Sequence, residues 1–156
     1  LFENPLWYSN LKNEFDVVSY NRIQFELTES SFIEFIDTAH HHYIAMLQEE
    51  GHRVFIDDFG VGYSSIPYLV GLCVNGVKLD RFFVDYAELP KYAAFVKKVV
   101  EMARTLNLTV VIEGVEKASQ LHFFTQLDCD GIQGYFEARP MKSDLIPQYL
   151  SNKHIN

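Results

Sequence analysis

Val54-Phe55-Ile56-Asp57-Asp58-Phe59-Gly60-Val61-Gly62-Tyr63-Ser64-Ser65 carries a short apolar run into two adjacent carboxylates, a Gly-x-Gly turn and a serine-rich helix start. Within a regular strand, neighbouring side chains point to opposite faces. Asp57 and Asp58 therefore share one site only where the strand ends and the backbone turns. The glycines predict that turn, because glycine reaches positive φ without a Cβ penalty. Two carboxylates held in a small volume repel each other, and either a shared proton or bound divalent cations must offset the repulsion. Taken alone, an Asp-Asp pair is most simply a surface turn. The neighbouring stretches decide otherwise.

Upstream, Arg22 to Glu29 alternates, with Ile23, Phe25, Leu27 and Glu29 on one face, which predicts a strand with a carboxylate at its C-terminal tip. Ser30-Ser31 offers an N-cap, and Ile36, His40, Tyr43, Ile44 and Leu47 follow at helical spacing until Gly51. Of His40-His41-His42, His40 is predicted to face the core and the others solvent; three consecutive helical residues do not converge on one metal. Downstream come a short helix over 64–72 and a third strand over 75–80, with Lys78 and Asp80 on one face. After Pro90 the longest amphipathic helix places Phe95, Val96, Val99, Val100, Ala103 and Leu106 on one side. Thr109 to Glu113 is a β-branched run ending in Glu113-Gly114-Val115-Glu116, followed by a helix over 117–127. Gly131-Ile132-Gln133-Gly134 gives a fifth strand, and Ser143 caps a last helix that tolerates Pro147 only in its first turn. Leu1 to Tyr20 shows no convincing period.

Five β-α units with short connections predict a parallel α/β sheet, and no glycine fingerprint for a dinucleotide is present. Polar residues close every strand: Glu29, Asp57-Asp58, Lys78 with Asp80, Glu113 with Glu116, and Gln133. In a (β/α)8 barrel that rim is the active-site face. Five units are too few to close a barrel, so the barrel reading requires further N-terminal strands; the alternative is an open sheet.

The 156 residues, 48% hydrophobic and 15% aromatic, suffice for one domain with a substantial core. A net charge of −8 argues against a sequence-blind grip on nucleic acid, but is compatible with one small phosphodiester whose charge is met by metals. Cys73 and Cys129 form no C-x-x-C pair and predict two buried thiols in a reducing compartment. No apolar run is long enough for a membrane span, no leader suggests export, and the initial Leu1 predicts a piece of a longer chain.

Six acids, a lysine and a glutamine on one rim make an oxygen-rich site for hard divalent cations. Two such ions suit an in-line phosphoryl displacement. Asp57 is placed to bridge, Glu29 and Asp58 to favour one ion each, and Lys78 to steady the attacking hydroxide or a non-bridging oxygen. Tyr63, Tyr135 and Phe136 near the rim either stack a purine base or simply pack.

Glu26-Leu27-Thr28-Glu29-Ser30, Asp57-Asp58-Phe59-Gly60-Val61-Gly62-Tyr63-Ser64-Ser65, Lys78-Leu79-Asp80-Arg81, Glu113-Gly114-Val115-Glu116 and Gln133-Gly134-Tyr135 with Pro140 resemble, in order and spacing, successive motifs of the EAL domain. The resemblance runs from about residue 22 to 150. It implies a (β/α)8 barrel that hydrolyses the bacterial messenger cyclic di-GMP to its linear dinucleotide pGpG with two Mg2+ or Mn2+ ions. On that pattern Glu29 and Asp57 are metal ligands, with Asp57 bridging, and Asp58 holds the second ion. Lys78 orients the attacking water, Glu113 acts at the metal centre or as a base, and Glu116 braces the site. Gln133 helps hold the water and second metal, and Asp80, Tyr135 and Pro140 contact the ligand. The loop through Gly60, Gly62, Tyr63, Ser64 and Ser65 resembles the segment that couples homodimerisation to metal binding. The family's Glu-Ala-Leu signature and an upstream Asn ligand are not found, so the resemblance implies a single partial domain, its C-terminal two-thirds. It further implies a bacterial cytoplasmic location within a larger sensory protein. The alternatives are an inactive cyclic di-GMP receptor, a dimerisation module, or an unrelated metal-dependent enzyme on the same barrel.

Overall fold

Each apolar run forms a strand and each run of helical period a helix. The computed structural model describes residues 23–29, 38–62, 66–71 and 74–153. In chain order these form β1 (Gln24–Thr28), α1 (Thr38–Glu49), β2 (Arg53–Phe59), α2 (Ile66–Gly71), β3 (Gly76–Leu79), α3 (Arg81–Asp85), α4 (Pro90–Thr105), β4 (Thr109–Ile112), α5 (Ala118–Thr125), β5 (Gly131–Ile132), a 3-10 turn (Ser143–Leu145) and α6 (Ile146–Lys153). The expectations for residues 1–22, Tyr63, Ser64, Ser65 and Cys73, and for the side chains of His40 and His41, lie outside the described residues. His42 is exposed. Among the described residues no helix is long and apolar enough to cross a membrane.

The strands pair in the order β1-β2-β3-β4-β5, and every pair is parallel. Right-handed crossovers that always step in the same direction place their helices on one face of the sheet. The order never reverses, so no switch point of a doubly wound sheet arises. The arrangement is a run of consecutive strands from a barrel wall. Val54, Ile56, Val77, Leu79, Val110 and Ile112 are each at most 1% exposed and belong to one core with Ile44 and Leu47 of α1, Val96 and Val100 of α4 and Phe124 of α5. Truncating one of the leucines or isoleucines among these to alanine costs about 2–5 kcal/mol. By alternation the other face carries Gln24, Glu26, Arg53, Asp57 and Lys78, and there the site is built.

Three local expectations differ from the structure. Helix α3 has no strong sequence period; Asp80 nucleates it as N-cap, its side chain accepting from the Phe82 N–H at 2.7 Å. Asp80 therefore follows β3 instead of lying along it. Phe95, expected on the buried side of α4, is 54% exposed and stacks on buried Phe83 of α3, with ring centroids 6.0 Å apart. Cys129 is only half-buried, its thiol donating to the Phe124 carbonyl at 3.1 Å.

Candidate metal centre on the strand-end rim

Asp57 and Asp58 share a site through a fault in the ladder, not through the end of the strand. Ile56 pairs with Val77 and Phe59 with Leu79, so two residues of β2 stand opposite the single Lys78 of β3. This is a β-bulge, which re-aims a side chain that regular pleating sends to the far face. Asp58 takes the extra step with φ +54°, in the left-handed region that aspartate tolerates better than most residues. One oxygen from each of Asp57, Asp58 and Glu113 lies within 4.8 Å of the others.

Lys78 stands at the centre of this group. Its Nζ is 2.6 Å from Glu113 Oε1, 2.7 Å from Glu26 Oε2 and 3.0 Å from Asp57 Oδ1, and its side chain is 6% exposed. Burial by itself would lower the ammonium's pKa, but the hydrogen bonds to Glu113, Glu26 and Asp57 outweigh it and hold the group above the ordinary lysine value. The acids respond in the opposite sense to crowding. Burial pushes the Glu113 carboxyl up against the lowering effect of Lys78. Burial, with the charges of Asp57 and Asp80, also raises Asp58. Each raised carboxyl gains from a nearby cation.

Glu26 joins the site as a residue that strand-end spacing does not mark. It lies in the middle of β1, paired with Phe55, one inward position before the Thr28–Asp57 pair. Its signal was that place in the inward row of Gln24, Glu26 and Thr28, where an acid faces the lysine two strands away.

Glu29 lies elsewhere. It is 6% exposed, and its Oε2 accepts from the amides of Gly60 at 3.1 Å and Gly62 at 3.2 Å. Its Oε1 is buried without a hydrogen-bond partner among the described residues, and Glu29 is not part of the Asp57, Asp58, Glu113 group. Gly60, at φ +96°, turns the chain so that both amides meet one carboxylate.

Next to the acids, a cavity of about 250 Å³ is lined by Asp80, Glu113, Glu116, Gln133 and Tyr135, with Arg81, Gly114 and Gly134. Tyr135 is 50% exposed and carries the Arg139 guanidinium 4.7 Å from its ring centroid. Phe136 and Pro140 are exposed on the same segment. Lys78 and Asp80 form no ion pair with each other; Asp80 caps α3 and Lys78 pairs with the three acids. The arrangement offers hard oxygen donors beside a fixed ammonium, with Glu113 shared between that cluster and the cavity that Tyr135 also lines.

Comparison with known proteins gives a consistent result. The EAL domain family model matches residues 1–140, reaching further upstream than the motifs do. The bifunctional diguanylate cyclase/cyclic di-GMP phosphodiesterase MucR of Pseudomonas aeruginosa is 41% identical over 122 residues, covering 78% of this chain and 18% of that protein. A solved structure of PaMucR phosphodiesterase in complex with c-di-GMP superposes with a TM-score of 0.83 at 34% identity, covering 93% of this chain and 60% of the other. Klebsiella pneumoniae BlrP1, in a manganese and cyclic di-GMP complex, gives 0.80 at 26% identity, covering 89% of this chain and 36% of the other. The chain thus spans less than two thirds of each of these proteins.

Proposed function

This chain belongs to the EAL domain family, and from that premise we propose that it hydrolyses cyclic di-GMP to linear pGpG at a site for two divalent cations, Mg2+ or Mn2+. The observation that carries the proposal is the meeting of Asp57, Asp58 and Glu113 oxygens within 4.8 Å of one another beside a buried ammonium. The donor set fits such ions: all ligands are hard carboxylate oxygens, and two of the carboxyls are raised by burial. When bound, the cations polarise a phosphoryl oxygen and make water acidic enough to attack at neutral pH.

Asp57, Asp58 and Glu113 would hold the cations, with Glu26 as a further acid within reach of the same lysine. Lys78, held protonated by its three partners, donates hydrogen bonds and never acts as a base; by turning one of its three donors from a carboxylate it would steady the attacking water or a non-bridging phosphate oxygen. Glu113, raised by burial and held by Lys78 through Oε1, would act at the metal centre as a ligand beside the attacking water. Gln133 at the cavity wall would help hold that water. Asp80 has an oxygen beyond the one that caps α3 and would accept from a purine's N–H groups, while Tyr135 would stack against the base. In this reading Glu29 holds the Gly60–Gly62 turn, and Glu26 takes the basin position that the motif spacing suggested for Glu29. Expression of the full-length protein and assay of cyclic di-GMP hydrolysis with Mg2+ or Mn2+ tests the proposal. Turnover should disappear in Asp57→Ala and Lys78→Ala, and full activity in either variant would refute the assigned roles.

A further inference from the structure

Arg81 ties the β3–α3 junction to the β4–α5 loop of the rim, although it takes no part in the chemistry proposed above. Its Nη1 lies 2.7 Å from Glu116 Oε1 and its Nε 3.3 Å from Asp85 Oδ2. Its stem lies on Gly114, where an added Cβ would stand 2.7 Å from both Arg81 Cβ and Cγ. Gly114 adopts φ +76°, so the residue next to Glu113 sits in a turn that side chains resist, with its open side filled by arginine. Further along, the amides of Glu116 and Lys117 both donate to Gln120 Oε1 at 2.9 Å. The Val115 N–H donates to the Gln133 carbonyl at 3.2 Å, and the Val115 carbonyl accepts from Phe136 N–H at 2.9 Å. Residues 113–117 are thus clamped by α5, by the segment after β5 and, through Arg81, by the β3–α3 junction.

We propose that Arg81 is a positioning residue: acting through Gly114 and Glu116, it sets where Glu113 and Gln133 stand relative to Lys78 and Asp57. Its catalytic consequence rests on the function proposed above. An ordinary exposed ion pair contributes little. This one fixes the segment that carries a carboxylate of the proposed metal centre, where misplacement by about 1 Å costs on the order of a hundredfold in rate.

The test compares Arg81→Ala, Arg81→Lys, Glu116→Ala, Asp85→Ala and the swap R81E/E116R in the full-length protein with Mn2+. Arg81→Ala and Glu116→Ala should lower kcat about tenfold or more while KM changes less than about threefold. Arg81→Lys and the swap should recover part of the loss, and Asp85→Ala, which removes only a surface pair, should stay within about twofold of wild type. Amide hydrogen exchange at residues 113–117 should quicken in Arg81→Ala and Glu116→Ala but not in Asp85→Ala. Wild-type kcat and exchange in Arg81→Ala would overturn the proposal, as would an Asp85→Ala defect equal to that of Glu116→Ala. Failure of the wild-type protein to hydrolyse cyclic di-GMP would refute the function alone, and the exchange comparison would then decide the clamp.

Discussion

Lys78→Met removes the cation that three carboxylates share. The lost contacts are 2.6 Å to Glu113, 2.7 Å to Glu26 and 3.0 Å to Asp57. Removing one member of a buried ion pair costs about 3–5 kcal/mol, because the remaining charge is left uncompensated. Glu26 and Asp57 are 39% and 24% exposed, so water screens much of the residual repulsion. About 2 kcal/mol is the discounted expectation. Methionine keeps most of the stem's volume, which holds cavity effects small. Urea unfolding in EDTA at pH 7 measures the deficit, and Mn2+ should narrow it by supplying positive charge where the ammonium was. The pH dependence follows from Glu113, already raised by burial against the lowering effect of Lys78. A carboxyl whose folded pKa exceeds its unfolded value favours the fold while protonated, and that contribution is lost as pH rises through the folded pKa. Without Lys78 the carboxyl rises further, so the deficit should shrink on acidification. A deficit under about 0.5 kcal/mol in EDTA, or one that grows on acidification, would refute this account of the basin.

Other outcomes follow from the same geometry. Burial raises both Asp58 and Glu113, so protons compete with the metal at a higher pH than for ordinary carboxylates. Calorimetric Mn2+ affinity should begin to fall while pH is still above the usual carboxylate range; a flat profile down to that range would contradict it. Glu29→Ala should cost about 1–3 kcal/mol in urea unfolding by leaving the Gly60 and Gly62 amides without their acceptor, whereas Glu26→Gln should mainly weaken Mn2+ binding. The reverse pattern would exchange the two roles. Asp58→Asn and Asp58→Ala should weaken Mn2+ binding alike, but alanine should be less stable by about 1 kcal/mol because it resists φ +54°.

Much of this was legible in the residues. The alternation of β1, the β-branched run of β4 and the carboxylates closing successive strands follow from side-chain period, and period is written in sequence. The convergence of Asp57, Lys78 and Glu113 follows once the strands are parallel and adjacent in order, since equivalent strand ends then meet. Glu26 and Glu29 are harder to tell apart in the sequence, because Glu26 lies within β1 and Glu29 one residue past its end, so alternation alone does not place the second. Only the turn at Gly60, which returns over β1, distinguishes them. The bulge at Asp58 reads as a strand end in the sequence because nothing local separates an aspartate that steps into the left-handed region from one that begins a turn. Helix α3 is not legible in the sequence because five residues are too few to display a period, and Phe95 of α4 stacks on that helix instead of entering the core.

The fault at Asp58 also means that the clustering of Asp57 and Asp58 with Glu113 and the regularity of the sheet are separable in this chain. Excising that single residue would bring Asp57 opposite Lys78 and leave Phe59 beside Leu79, restoring an uninterrupted ladder. Such a shortened chain should melt no earlier than its parent yet bind Mn2+ poorly. A one-codon deletion, usually the harshest of small lesions in a strand, would here repair the scaffold and silence the centre.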